Sequence, residues 1–203
     1  MSARTILVLL SLILAASWAG VTFFRPSSGP LALDSGIPLN PRRSLPDFSL
    51  VDQHGAAFTR ASLDGRWSLA FAGFTACPDL CPATLGILAV LDTRLGDSAA
   101  GLQTLLISVD PERDTPERMA EFLEPFPARF GGITGTRAEL DRLVTGLGLS
   151  YIKVPVGSDR YTVDHSAALV LVDPRGRVAA YFKPPLYPDR LAADLAPLLA
   201  ARP

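Results

Sequence analysis

Residues 5–24 (TILVLLSLILAASWAGVTFF) form an apolar run without a single charge, bracketed by Arg4 and Arg25. At helical rise such a run spans a hydrocarbon layer of ~30 Å. Trp18, Phe23 and Phe24 lie toward its outer end, where aromatic rings favour the membrane interface. The pattern predicts an uncleaved N-terminal membrane anchor, a transmembrane helix over residues 1–25. The rival reading is a cleaved signal peptide, since Ala15-Ala16-Ser17 and Ser17-Trp18-Ala19 loosely resemble a processing site. The run is longer than an ordinary signal core, and both readings export the remainder of the chain. Residues 26–45 lose all apolar periodicity and carry four prolines and two glycines, so they read as a flexible tether. Periodicity returns after that, and residues 46–203 read as one domain.

Within the domain, residues 67–73 (WSLAFAG) and 103–109 (QTLLISV) are apolar runs of strand length. Their unbroken character predicts strands covered on both faces. Residues 48–51 and 56–59, separated by Asp52-Gln-His-Gly55, predict a strand, turn and strand. Between the two apolar runs, Leu85, Leu88, Leu91 and Leu95 recur at spacings of three and four, one face of a helix over residues 82–95. Thr115 followed by Pro116 predicts a helix with Thr at the N-cap and Pro at its first position. Thr136 and Glu139 have capping-box spacing and open a third helix. Residues 167–172 and 178–182 flank Asp173-Pro-Arg-Gly176, a turn signal joining a hairpin. Leu191, Leu195, Leu198 and Leu199 predict a closing helix, weakened at its end by Pro197. Together these elements predict an α/β fold, a central mixed sheet flanked by helices on both faces.

Composition narrows the function. The chain of 203 residues has a formal net charge of −1 and a mean hydropathy of +0.27. Without residues 1–45, 15 basic and 19 acidic side chains remain. Near-neutral charge and the lack of a basic block argue against a nucleic-acid partner, which would need a Lys/Arg face to displace counterions. Two cysteines rule out a disulfide scaffold, and two histidines confine any metal site to a small ligand set.

The chemistry concentrates in residues 73–85, GFTACPDLCPATL. Cys77 and Cys81 stand between an apolar strand and an amphipathic helix, where the helix N-terminus lowers thiol pKa. Pro82 fits the first helical position and places Cys81 at the cap, with Cys77 in the preceding loop. A structural disulfide closing so short a loop would constrain the unfolded chain little, so a functional pair is favoured over a staple. Pro78 and Pro82 are expected to stiffen this loop. His165, ahead of residues 167–172, is placed to reach the same rim of the sheet, whereas His54 reads as turn surface. If Cys77, Cys81 and His165 converge, two thiolates and one imidazole suit copper, as Cu(I) or Cu(II), better than zinc. Asp79 and Asp164 flank these residues and read as solvated carboxylates. Asp110, Glu112, Arg113 and Asp114 read as a charged loop that caps the next helix and pairs internally.

These motifs resemble the Sco/SenC family of membrane-tethered, thioredoxin-like copper proteins. GFTACPDLCPATL matches the family's Cys-Pro-Asp-x-Cys-Pro element, residues 108–116 (SVDPERDTP) its second block, and residues 163–166 (VDHS) the block with the third copper ligand. Ile133-Thr134-Gly135 stands for the family's Leu-Thr-Gly, and Ala76 departs from the His of many members. The resemblance runs from about Leu45 to the C-terminus with the blocks in order. It implies a thioredoxin-like fold and copper ligation by Cys77, Cys81 and His165. It also implies a copper chaperone for the dinuclear copper A centre of cytochrome c oxidase. The partners would be that copper A subunit or another copper chaperone, with the membrane reached through the N-terminal helix. The alternative is a thiol–disulfide oxidoreductase in which Cys77 and Cys81 keep an acceptor's cysteines reduced. Thioredoxin-type reductases, however, use a spacing one residue shorter. A peroxidase is the poorest match. The short N-terminus, without an Arg- and Ser-rich transit segment, favours a bacterial inner membrane with the domain facing the periplasm.

Overall fold

The computed structural model describes residues 31–200. Its strands are β1 (Ile37–Ser44), β2 (Ser49–Asp52), β3 (Ala57–Thr59), β4 (Trp67–Gly73), β5 (Leu102–Ser108), β6 (Phe130–Thr134), β7 (Tyr151–Val156), β8 (Arg160–His165), β9 (Leu169–Val172) and β10 (Arg177–Phe182). The helices are α1 (Leu80–Leu95), α2 (Pro116–Leu123), α3 (Arg137–Gly146) and α4 (Pro188–Ala200). Among the described residues eight strands form one mixed sheet in the order β1-β10-β9-β4-β5-β6-β2-β3, while β7 and β8 pair only with each other. Strands β4, β5 and β6 run parallel at the centre and antiparallel strands extend the sheet on both sides.

The predicted apolar runs are the central strands, and every residue of β4 and β5 is buried. Alternation sorts their side chains. Leu69, Phe71, Leu102 and Leu106 face a core that includes Leu85, Leu88 and Leu91 of α1, Met119 of α2 and Leu191 of α4. Ala70, Ala72, Leu105 and Ile107 face a second core with Leu140, Leu143 and Val144 of α3. Helices therefore cover both faces, as the α/β pattern requires. Thr115 caps α2, accepting from the Arg118 N–H at 3.3 Å, with Pro116 as first residue. Thr136 caps α3 by accepting from the Glu139 N–H at 3.4 Å. The Glu139 carboxylate does not close a capping box; it accepts from the Ser49 N–H at 2.8 Å and ties α3 to β2.

Other differences have local causes. The tether expected over residues 26–45 contains Ile37–Ser44, which is an edge strand paired with β10. Prolines are tolerated there because an edge strand leaves half of its N–H groups unpaired. Strand β6 (FGGIT) carries two glycines that mask its strand propensity. A Cβ on Gly132 would meet Met119 Cε at 2.5 Å and Leu123 Cδ1 at 2.9 Å, so glycine lets α2 pack onto the sheet. Helix α4 runs through Pro197 to Ala200, with Leu198 and Leu199 packed on the core. Among the described residues no helix is long and apolar enough to cross a membrane. The anchor expected over residues 1–25 lies outside them.

Candidate metal centre

The connection from β4 to α1 places both cysteines at the end of the central strands. The chain turns after Gly73, with the Cys77 N–H donating to the Phe74 carbonyl at 3.2 Å. Thr75 anchors this turn: its N–H and hydroxyl both donate to the carboxylate of Asp114, the hydroxyl at 2.6 Å. Helix α1 begins two residues earlier than the sequence suggests. Asp79 is its N-cap and the Ala83 N–H donates to the Asp79 carbonyl, so Cys81 lies inside the first turn. Pro82 is accommodated because the first helical N–H groups have no intrahelical acceptor to lose.

Both cysteines are free thiols. Cys77 is 9% exposed and Cys81 1%, and the Cys81 N–H points at Cys77 Sγ from 3.4 Å. The helix terminus does not decide the Cys81 thiol. Burial pushes it up to about 12, the backbone contact to Phe74 opposing and the neighbouring Cys77 reinforcing the shift. The sulfur also fills space that a side chain at position 73 would need. A Cβ on Gly73 would stand 2.8 Å from Cys81 Sγ and 2.7 Å from Leu106 Cδ1. Gly73→Ala is expected to leave the fold standing, cost about 1–3 kcal/mol by overpacking, and displace Cys81. A thermal melt and a copper titration of the variant check this; parental copper affinity would show that the sulfur has room to spare.

His165 arrives from another direction. It ends β8, opposite Tyr151, rather than opening the strand at residues 167–172. The β7–β8 hairpin gave little sequence signal because Pro155 and the Gly157 turn interrupt its apolar positions. His165 Nε2 lies 3.8 Å from Cys81 Sγ. Its Nδ1 lies 3.2 Å from the Ser166 carbonyl, which can only accept; in the tautomer protonated at Nδ1 that bond forms and Nε2 faces the sulfurs as a free lone-pair donor. Phe74 meets the imidazole edge-on, with ring centroids 6.1 Å apart. The ligand atoms of Cys77, Cys81 and His165 all lie within 4.8 Å of one another. That is close enough for one ion to touch all three, and two soft sulfurs with one imidazole fit copper.

Asp79, Asp164 and His54 are exposed, as their surface reading expects. The charged loop after β5 differs. Asp110 and Asp114 are 0% and 1% exposed. Asp114 accepts from Thr75 and from the Ser108 hydroxyl at 2.7 Å, holding the cysteine turn to the end of β5. Asp110 accepts from the Tyr161 hydroxyl at 2.7 Å and from Arg113 Nε. One Arg113 nitrogen, Nη2, is buried and finds no acceptor among the described residues. Nothing in the local sequence separates these carboxylates from solvated ones, because strands distant in the chain bury them.

Known proteins resemble this chain in sequence and fold. A family model described as SCO1/SenC matches residues 38–200. A putative copper-binding protein of Stutzerimonas stutzeri is 39% identical over 167 residues, 81% of this chain and 82% of the relative. The copper-bound structure of ScoI from Bradyrhizobium japonicum is 38% identical, with a TM-score of 0.69 over 75% of this chain and 97% of that one. Copper-bound yeast Sco1 is 29% identical, with a TM-score of 0.70 over 78% and 90% of the two chains. With the fold, the paired cysteines and the third residue in place, this chain belongs to the SCO1/SenC family of thioredoxin-like copper-binding proteins.

Proposed function

We propose that this chain is a membrane-anchored copper chaperone that binds one copper ion through Cys77, Cys81 and His165. The observation that carries the reading is the convergence of those three ligand atoms within 4.8 Å, one from the β4–α1 turn, one from the first turn of α1 and one from the end of β8. The buried Cys81 thiol, held up to about 12, stays protonated in the metal-free protein. It is then a poor attacking group for thiol exchange. A thiol that coordinates a metal is deprotonated outright. The chain's part is to hold two sulfurs and an imidazole lone pair close together, and to keep water from most of that space by burying both cysteines.

The delivery target is the dinuclear copper A centre of cytochrome c oxidase, as membership of this family suggests, either directly or through another copper chaperone. Residues 5–24 anchor the chain in a bacterial inner membrane as a single-pass protein, with the domain facing the periplasm. Their length without charge supports this.

Copper titration of the full-length chain in detergent, reduced and then oxidised, tests the site. One tight copper per reduced chain, lost on oxidation, is expected. Because Cys81 must give up its proton, affinity for copper should rise by about tenfold per pH unit for that proton between pH 6 and 9. A pH-independent affinity would show that Cys81 is not a ligand. No tight copper, together with ready thiol exchange, would put the oxidoreductase in its place. Transfer to the metal-free copper A subunit tests the target, and a loaded chain that transfers nothing to it would sink that part.

A further inference from the structure

The three side chains at the metal centre do not stand on equally firm ground. Cys77 and Cys81 belong to the main apolar core. His165 ends β8, which among the described residues pairs with β7 alone, in a sheet separate from the central one. A lone two-stranded hairpin is marginal in water. Its own ladder therefore does not fix where its end lies, and the 3.8 Å approach of His165 to Cys81 needs another cause.

Strand alternation puts Tyr161, Val163 and His165 on one face of β8. Tyr161 is held to the domain body at three points. Its hydroxyl donates to the fully buried Asp110 at 2.7 Å. Its carbonyl accepts from Arg113 Nη1 at 3.4 Å. The Arg113 guanidinium stands 4.1 Å from its ring centroid. Asp110 completes the cluster by accepting from Arg113 Nε. Arg113 also reaches the imidazole by a second route, since its guanidinium lies 5.6 Å from the centroid of Phe74, the ring that meets His165 edge-on. A hydroxyl bonded to a buried carboxylate is among the stronger directional contacts a protein makes. This one lies four residues along the same strand face from the ligand.

We infer that Asp110, Arg113 and Tyr161 form a latch that sets where His165 stands relative to the two sulfurs. They are positioning residues, since the ligand cluster is Cys77, Cys81 and His165 alone among the described residues. The inference rests on the copper reading proposed above and names what keeps that site assembled before the ion arrives. Other polar contacts reach β7, among them the ion pair of Lys153 with Glu112 at 2.6 Å and the Tyr151 hydroxyl donating to Asp141 at 2.5 Å, both at the surface. Such surface contacts hold weakly; Val163 seats the middle of β8 in the core, and the latch adds the directional contacts that orient the strand face carrying His165.

The test is a double-mutant cycle on the reduced full-length chain in detergent, with Cu(I) affinity read by competition against a chromophoric chelator. Tyr161→Phe is expected to weaken copper binding about tenfold, the cost usual for groups that orient a ligand. Its thermal midpoint should move by no more than about 4 °C. The thiolate-to-copper absorption of its Cu(II) form should shift, because the imidazole is no longer held in place. In the His165→Ala background the same change should cost less than about twofold, because the latch then has no ligand to place. Arg113→Lys keeps the cation but loses the fork joining Asp110 to the Tyr161 carbonyl, and should follow Tyr161→Phe in both backgrounds. Parental affinity in Tyr161→Phe, or equal losses with and without His165, overturns the latch. A His165→Ala chain that binds copper as tightly as the parent overturns the ligand assignment itself, and the latch with it.

Discussion

Cys81→Ser is expected to abolish tight copper binding and His165→Ala to lower it by about 100-fold or more, the upper end of what even orienting groups cost. The difference follows from the donors. A serine oxygen is hard and stays protonated, and soft Cu(I) gains little from it. Loss of the imidazole leaves the two sulfurs, which still offer a soft two-coordinate site. His165→Ala also leaves both thiols intact, so that variant remains able to form a disulfide, and Cys77→Ser and Cys81→Ser do not. Cys81 is almost fully buried in an apolar core, so serine there also buries an extra polar group, at about 1–3 kcal/mol. Cys81→Ala separates the two effects. Copper-to-protein stoichiometry at fixed chelator concentration, read beside a thermal melt, is the measurement. Tight stoichiometric copper in a stably folded Cys81→Ala chain would dismantle the three-ligand site.

Asp173→Ala is expected to cost about 3–5 kcal/mol of stability, the range found when one partner of a buried ion pair is removed. The residue sits in the β9–β10 turn with no solvent exposure. One carboxylate oxygen accepts from the Arg175 and Arg177 N–H groups at 3.0 and 3.1 Å. The other accepts from Arg42 of β1 at 2.9 Å and from the Arg177 guanidinium at 2.6 Å. Alanine leaves two guanidinium groups and two turn N–H groups without this acceptor, and unfastens the edge strand β1. Against a total of about 5–15 kcal/mol, that loss should lower the thermal midpoint by roughly 10 °C or more. The pH dependence has a definite sign. Burial alone would raise the Asp173 carboxyl, but Arg177, Arg42 and the turn N–H groups outweigh it and hold the carboxyl below its ordinary value of 3.8. Its stabilising contribution is therefore complete above that value and is lost as pH falls through the lower folded-state value. Parent and Asp173→Ala stabilities should converge in strong acid. A variant melting within about 2 °C of the parent at neutral pH, well short of the expected shift, would show that the two arginines find other acceptors.

Much of the sheet can be read from the chain because its central strands are buried on both sides. Residues 67–73 are β4, and the second apolar run differs from β5 by one residue at each end. Helix starts marked by Thr115 and Thr136 are local capping chemistry and come through the same way. The half-exposed hairpin β7–β8 escaped, since Pro155 and Gly157 break its alternation and no core face disciplines its pattern. The start of α1 was displaced because Pro82 suits any position in the first turn. The charge-rich segment after β5 reads as a loop that caps the next helix and pairs internally; the Arg113–Asp110 pair is there, but Asp110 and Asp114 are buried, which the segment alone does not reveal. A carboxylate's burial depends on what packs over it, and here that includes a strand about fifty residues further along.

The order and type of the sulfur and imidazole donors, the apolar runs that become central strands and the chemistry of the helix caps are properties of short segments. The amino-acid sequence by itself determined them. It could not decide that His165, 84 residues from Cys81, stands 3.8 Å from its sulfur. Nor could it decide that the Cys81 thiol is pushed up by burial rather than lowered by the helix terminus. Both depend on which distant segments exclude water from the same few ångströms. Desolvation and long-range hydrogen bonds act through space, and only the folded chain brings the groups close enough to feel them.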